Sequence, residues 1–248
     1  MRICLINANT TAAMTERMVT LGQAAAGPGV KVTGATARFG ARYVASRAAY
    51  AIAGHAALDA YAEHAQNADA VVLACFGDPG LLALKEIAHQ PVVGMAEASC
   101  LTAAAFGGRF AIVTGGERWG PMLRELLAVL GLSDKLAHVE TVAPTGAEIA
   151  AEPERALAML EDACMRCVQK HGADSVILGG AGLAGLSERI APRVPVPLVD
   201  SLTASVRMAD MLARSRPGKS RAGSLAATPA VESVGLDAAL ETLIGRVR

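Results

Sequence analysis

The feature that most constrains the fold is an internal repeat. Residues 68–81 align with residues 173–186 at an offset of 105. Residues 91–93 (Pro-Val-Val) align with 197–199 (Pro-Leu-Val) at 106, and residues 2–7 align with 109–114 at 107. Single-residue insertions account for the drift. A chain built this way contains two copies of one unit. Within each copy, short β-branched runs alternate with longer Ala-rich segments. Strands are expected at 2–7, 30–36, 70–75, 91–94, 109–114, 137–142, 175–179 and 197–200. Helices are expected between them, notably 11–26 behind Thr10 as N-cap, 41–66, and 153–170 with Pro153 in the first turn. This alternation specifies βα units and parallel sheets. The expected fold is α/β: two similar lobes, each a four-stranded parallel sheet flanked by helices. The lobes are related by a pseudo-two-fold axis, with the active site in the cleft between them. Residues 1–97 with 212–248 form the first lobe and residues 98–211 the second. The stretch 215–235, with Pro217, Gly218, Ser220, Gly223, Ser224 and Pro229, reads as loop. Residues 237–247 read as a last helix packing back on the first lobe.

Composition narrows the function. Apolar residues make up 52% of the chain and charged residues 19%, enough for a large core and against disorder. Lys plus Arg equal Asp plus Glu at 23 each, so no basic surface awaits nucleic acid. Aromatics at 3% argue against stacking platforms for bases. No apolar run approaches the roughly 20 residues that span a bilayer, and the N-terminus reads as a strand rather than a signal peptide. A cytoplasmic protein with a small-molecule substrate, no membrane and no nucleic-acid partner is expected. The apolar fraction leaves surface for a homo-oligomer. Five cysteines, an odd number, are expected as thiols.

Ligands of open parallel sheets bind at the carboxyl ends of the strands. Four loops lie there: 7–11, 75–80, 114–117 and 180–185. Cys75 ends a buried strand before a Gly-rich turn and a helix, where a helix dipole and loop N–H groups favour a thiolate. That predicts a lowered pKa and a base or nucleophile; the plainer alternative is a core thiol. Residues 180–185 (Gly-Ala-Gly-Leu-Ala-Gly) fit a dinucleotide fingerprint, with Asp200 as ribose partner. The repeat explains these glycines without a cofactor, since Gly182 and Gly185 are mates of Gly77 and Gly80. Cys164 and Cys167 form C-x-x-C inside a helix, where core packing is expected, as for Cys4 and Cys100. The five histidines show no metal spacing, although His55 lies within reach of the cleft. Arg38, Arg42 and Arg47 are carboxylate binders or surface cations. Asn7, Asn9, Thr10 and Thr11 make a polar strand-to-helix turn.

Residues 2–11 with Met14 and Thr15, the loop 74–80 (Ala-Cys-Phe-Gly-Asp-Pro-Gly) and the loop 179–185 together resemble the hydantoin racemase branch of the Asp/Glu racemase superfamily. The resemblance covers nearly the whole chain. It implies cofactor-independent, metal-free proton transfer at a carbon next to a carbonyl, with two cysteines on opposite faces. Cys75 matches the first. Asn7, Thr10, Thr114, Gly115 and the N–H groups of Phe76, Gly77, Ala181 and Gly182 occupy the places that hold the substrate and its enolate. The family's second cysteine falls on Gly180, the repeat mate of Cys75. The expectation is therefore a racemase or epimerase of a hydantoin, allantoin or amino-acid type substrate. Alternatives are a one-base isomerase or decarboxylase acting through an enediolate, and an inactive small-molecule binding protein.

Overall fold

The structure, a computed structural model, describes residues 1–216, 218–226 and 229–245. Strands β1 (Arg2–Asn7), β2 (Lys31–Thr36), β3 (Ala70–Leu73) and β4 (Val92–Gly94) form one sheet in the order β2-β1-β3-β4. Strands β5 (Phe110–Gly115), β6 (Leu136–Val142), β7 (Ser175–Gly179) and β8 (Leu198–Asp200) form a second in the order β6-β5-β7-β8. All pairings are parallel, with Ile6 opposite Leu73 in one sheet and Val113 opposite Leu178 in the other. The two sheets have the same topology, as the repeat requires. Every residue of β3, β5 and β7 is buried, which is why these strands read as continuous apolar runs.

The helices are α1 (Ala12–Ala25), α2 (Arg47–Ala60), α3 (Leu81–Ile87), α4 (Met95–Phe106), α5 (Trp119–Val129), α6 (Gly146–Ala151), α7 (Pro153–His171), α8 (Ser187–Ile190), α9 (Ser201–Ser215) and α10 (Ala238–Ile244). Two helix expectations need correction. Residues 41–46 are not helical. Helix α2 starts only at Arg47, where the Ser46 hydroxyl accepts from the Ala49 N–H at 3.2 Å, and it runs on into a π turn at Tyr61–Ala65. The loop before it spends its backbone acceptors on the β1–α1 turn: Thr10 N–H donates to the Ala41 carbonyl and the Thr11 hydroxyl to that of Arg42. Thr10 does not cap α1, which starts one residue later than its position would require. Thr11 takes the N-cap place without a side-chain bond.

Helices α4 and α9 cross between the sheets. Helix α4 follows β4 yet packs on β7, β5 and β8. Helix α9 follows β8 yet packs on β3, β4 and α1, and the two lie against each other. The divisions at 97/98 and 211/212 fall inside these two helices. The principal core accordingly joins Ile3, Leu5 and Leu73 with Phe110, Ile112, Leu202 and Val206. The alternate residues of β5, Ala111 and Val113, face a second cluster with Leu160, Cys164 and Cys167 of α7. Helix α10 packs on α2 and the π turn of the first lobe. Pro217, Ala227 and Thr228 of the expected loop, and Arg246 and Val247 of the last helix, lie outside the described residues. No helix among the described residues is long and apolar enough to cross a membrane.

Candidate active site

Strand β3 ends at Leu73, and the chain turns through Cys75–Gly80 into α3. The turn is held by hydrogen bonds from Ala74 N–H to Ile6 O at 2.8 Å and from Asp78 N–H to Cys75 O at 2.9 Å. Asp78 adopts a positive φ of 54° and is almost wholly buried. Its carboxylate accepts the first N–H groups of α4, from Ala96 at 2.9 Å and Glu97 at 2.7 Å. Burial pushes its carboxyl up to about 7, against the pull of those two donors. The Tyr50 hydroxyl donates to the Gly77 carbonyl at 2.8 Å. The Cys75 loop is thus tied to the helix that enters the other lobe.

The second loop, after β7, is fastened by different groups. Gly180 N–H donates to Ser201 Oγ at 3.2 Å, and Gly185 N–H to Asp200 Oδ2 at 2.7 Å. The Arg17 guanidinium, from α1, donates to the carbonyls of Gly182 at 3.2 Å and Ala184 at 3.0 Å. The turn Ala181–Leu183 is 3-10, and α8 that follows has four residues. Asp200 caps α9 through the Leu202 and Thr203 N–H groups. The glycines therefore build a short turn and Asp200 a helix cap, with no long helix behind the loop to receive a pyrophosphate.

The loops interlock by aromatic-on-glycine contacts. A Cβ on Gly77 would lie 2.4 Å from the Trp119 ring of α5, and one on Gly179 would lie 2.3 Å from the Phe76 ring. Each lobe thus presses an aromatic against a glycine of the other.

Between the loops lies a cavity of about 50 Å³. Of the residues expected at the site, Cys75, Phe76, Thr114, Gly180, Ala181 and Gly182 line it. Asn7, Thr10, Gly77 and Gly115 are not among the lining residues. Asn7 is fully buried, and its amide donates to Asn9 Oδ1, Thr11 O and Thr15 Oγ1, fixing the turn that carries Asn9. Gly115 offers its carbonyl to the Tyr43 hydroxyl at 3.3 Å. Asn9, Met14, Tyr43, Val44, Ala74, Trp119, Gly179 and Leu183 also line it. Tyr43 and Val44 lie in a stretch whose composition suggests helix, so the sequence gives no sign that they reach the site. Trp119, the single tryptophan, belongs to no motif. A wider groove of about 330 Å³, lined by Tyr50, Leu82 and Val129 among others, touches the back of the loop at Asp78. Its lining includes no thiol and no residue of the second loop, so the smaller cavity is the one suited to chemistry.

Cys75 is buried, and burial together with the Asp78 carboxylate pushes its thiol up to about 12. The expectation of a lowered pKa is therefore overturned: burial and the Asp78 carboxylate both act upward, and α3 begins only at Leu81, well past Cys75. Gly180 has a φ of 128°, unlike its mate Cys75, while Gly80 and Gly185 match at 81° and 82°. A Cβ at Gly180 would meet nothing nearer than Leu183 Cδ1 at 3.8 Å and Thr114 Oγ1 at 3.9 Å. Thr114 donates its hydroxyl to Gly179 O at 2.8 Å. Arg38 pairs with Asp59 and Asp237, Arg47 pairs with Glu125, and His55 stacks edge-on to Phe39; none of these lines the cavity. Among the described residues no group of three or more His, Cys, Asp or Glu side chains is arranged to hold a metal ion.

A profile of the family described as Asp/Glu/Hydantoin racemase matches residues 3–209. The chain is 32% identical over 214 residues to a hydantoin racemase of Paenarthrobacter aurescens, covering 86% of this chain and 91% of that one. Its fold superposes on an allantoin racemase of Pseudomonas fluorescens with a TM-score of 0.91 at 32% identity, covering 95% of this chain and 100% of that one. The corresponding figures for an allantoin racemase of Klebsiella pneumoniae are 0.90 and 31%, with 98% of each chain covered. With the duplicated parallel sheets and the two strand-end loops meeting at one cavity, these matches show that the chain belongs to the Asp/Glu/hydantoin racemase family.

Proposed function

We propose that this protein racemises or epimerises a hydantoin- or allantoin-type ring, without a cofactor, by proton transfer at the carbon next to a carbonyl, with Cys75 as base. The observation that carries this reading is the small cavity joining the Cys75 loop to the Gly180 loop at the carboxyl ends of β3 and β7. Its lining, among the described residues, includes no Lys, Arg or His, which favours a neutral ring over a dicarboxylate. The N–H groups of Phe76, Ala181 and Gly182 are assigned to hold the substrate oxygen as charge develops on it, and Thr114, whose hydroxyl proton goes to Gly179 O, to accept a hydrogen bond from the substrate. Asn7, Thr10, Gly77 and Gly115 are assigned to shaping the loops around it. Five free thiols accord with a reducing, cytoplasmic setting.

A second reading follows from Gly180, which has no acid to offer. With one base, the enzyme exchanges the proton on a single face with retention, as a one-base isomerase or decarboxylase does. Proton NMR in D2O with polarimetry separates the readings across chiral 5-substituted hydantoins, allantoin and amino acids. Loss of both the stereocentre signal and the rotation is expected on the ring substrates. Loss of signal with rotation retained establishes the one-base reading, and no change on any compound overturns catalysis of this kind. Because the resting Cys75 thiol holds its proton, the exchange rate is expected to rise about tenfold per pH unit between about pH 7 and 9. A plateau near neutral pH would contradict the burial argument.

A further inference from the structure

We propose that Tyr43 is the second proton carrier of this site, the acid that serves the face of the substrate carbon opposite Cys75. The inference rests on the racemase reading above. Among the described residues lining the cavity, only Cys75 and Tyr43 carry a proton of useful acidity. Residues 180–185, on the other side, offer only Gly, Ala and Leu.

Tyr43 lines the cavity from a first-lobe loop and ends on the second sheet. Its loop leaves the first lobe and is pinned just before Tyr43 by the bonds from Thr10 and Thr11 to the carbonyls of Ala41 and Arg42. The ring then reaches across to the second sheet, where the hydroxyl donates to Gly115 O at the end of β5. A Cβ on Gly116 would lie 3.6 Å from the same phenolic oxygen. Gly115 adjoins Thr114, whose Oγ1 stands 3.9 Å from where a side chain at Gly180 would begin. The phenol therefore lies at the second-lobe edge of the cavity, and the thiol comes from the first lobe.

The proton balance closes. The Cys75 thiolate takes the proton from one face, and the electrons of the broken C–H bond pass into the enolate. The enolate carbon takes the Tyr43 O–H proton on the other face, forming the new C–H bond and leaving a phenolate. Cys75 then releases its proton to solvent and the phenolate takes one up. The opposite enantiomer runs the same steps in reverse, with the phenolate as base and the thiol as acid.

The test is Tyr43→Phe, which keeps the ring against the cavity wall and removes only the hydroxyl. Separate enantiomers of a 5-substituted hydantoin and of allantoin are followed in D2O by NMR and polarimetry. Thermal melting confirms an intact fold. The expected result is a fall in racemisation of about 100-fold or more. Exchange of the enantiomer deprotonated by Cys75 should survive within about threefold, while exchange of the other falls with the racemisation. Equal losses for both enantiomers, or no loss for either, would overturn the proposal and leave Tyr43 a packing residue. Wild-type exchange of one enantiomer alone, with retention, would overturn Tyr43 while leaving Cys75 as base. Absence of any wild-type exchange would overturn both assignments together.

Discussion

At the residue scale, the proposed chemistry turns on the contrast between Cys75 and Gly180. The two are mates in the repeat, yet one carries a thiol and the other has a backbone that suits only glycine. The φ of 128° and ψ of 147° at Gly180 lie where an L side chain costs about 1–3 kcal/mol. The space itself is open, since a Cβ built there would have no neighbour closer than 3.8 Å. Gly180→Cys is therefore expected to fold with a lower melting temperature and to racemise faster, by adding a thiol opposite Cys75. Melting and polarimetry on the same preparation check this. A folded variant with no gain in rate would mean that a thiol at position 180 does not reach the reacting carbon or adds nothing to the acid already serving that face.

At the element scale, the two crossing helices hold the two strand-end loops. Helix α4 is capped by Asp78 of the first loop, and α9 by Asp200, which also holds Gly185 of the second. The same problem, joining a strand-end loop to a helix that enters the opposite lobe, is solved in each half by one carboxylate. Asp200→Ala removes an N-cap, worth about 1 kcal/mol, and strands the Gly185 N–H, worth about 1–3 kcal/mol. A loss of about 2–3 kcal/mol is expected in urea unfolding. Activity should fall as well, since the grip on the second loop then rests on Arg17 and Ser201. A loss below about 0.5 kcal/mol would show that water replaces the carboxylate at no cost.

At the scale of the whole molecule, stability is linked to the state of buried thiols. Cys4, Cys75, Cys100, Cys164 and Cys167 are all buried, and desolvation raises the pKa of each. Cys75, Cys164 and Cys167 are each pushed up to about 12. The folded state thus keeps its thiols neutral where the unfolded chain, with thiols near their free value of about 8.5, ionises. Their contribution is fully present below about pH 8.5 and is lost as the pH climbs toward about 12. Each thiol removes up to about 1.4 kcal/mol per pH unit in that window. The urea midpoint should hold steady from about pH 7 to 8 and drop steeply from about pH 9 to 11. A flat profile would mean that the interior admits water around these sulfurs.

Much of this architecture is legible in the sequence. Hydrophobic runs of strand length and turn residues between them are local signals, so the strands β1 to β8 lie within two residues of their expected bounds at either end. The repeat adds the common topology of the two sheets, because equal segments fold to equal units. The strand-end loops follow from that topology, and with them Cys75, Thr114 and the 180–182 segment. What the tertiary structure decides depends on residues far apart in the chain. The stretch before Ser46 looks helical by composition. It is a loop because Thr10 and Thr11 claim its carbonyls, which brings Tyr43 into the cavity. Helices α4 and α9 cross because each buries its apolar face best against the other lobe. The Cys75 pKa runs opposite to what its place before a helix suggests: the apolar run marks a buried strand, but how completely the sulfur is desolvated, and that the Asp78 carboxylate faces it, is set in three dimensions. Desolvation is set by everything that surrounds a group in space, and only the packed molecule determines that.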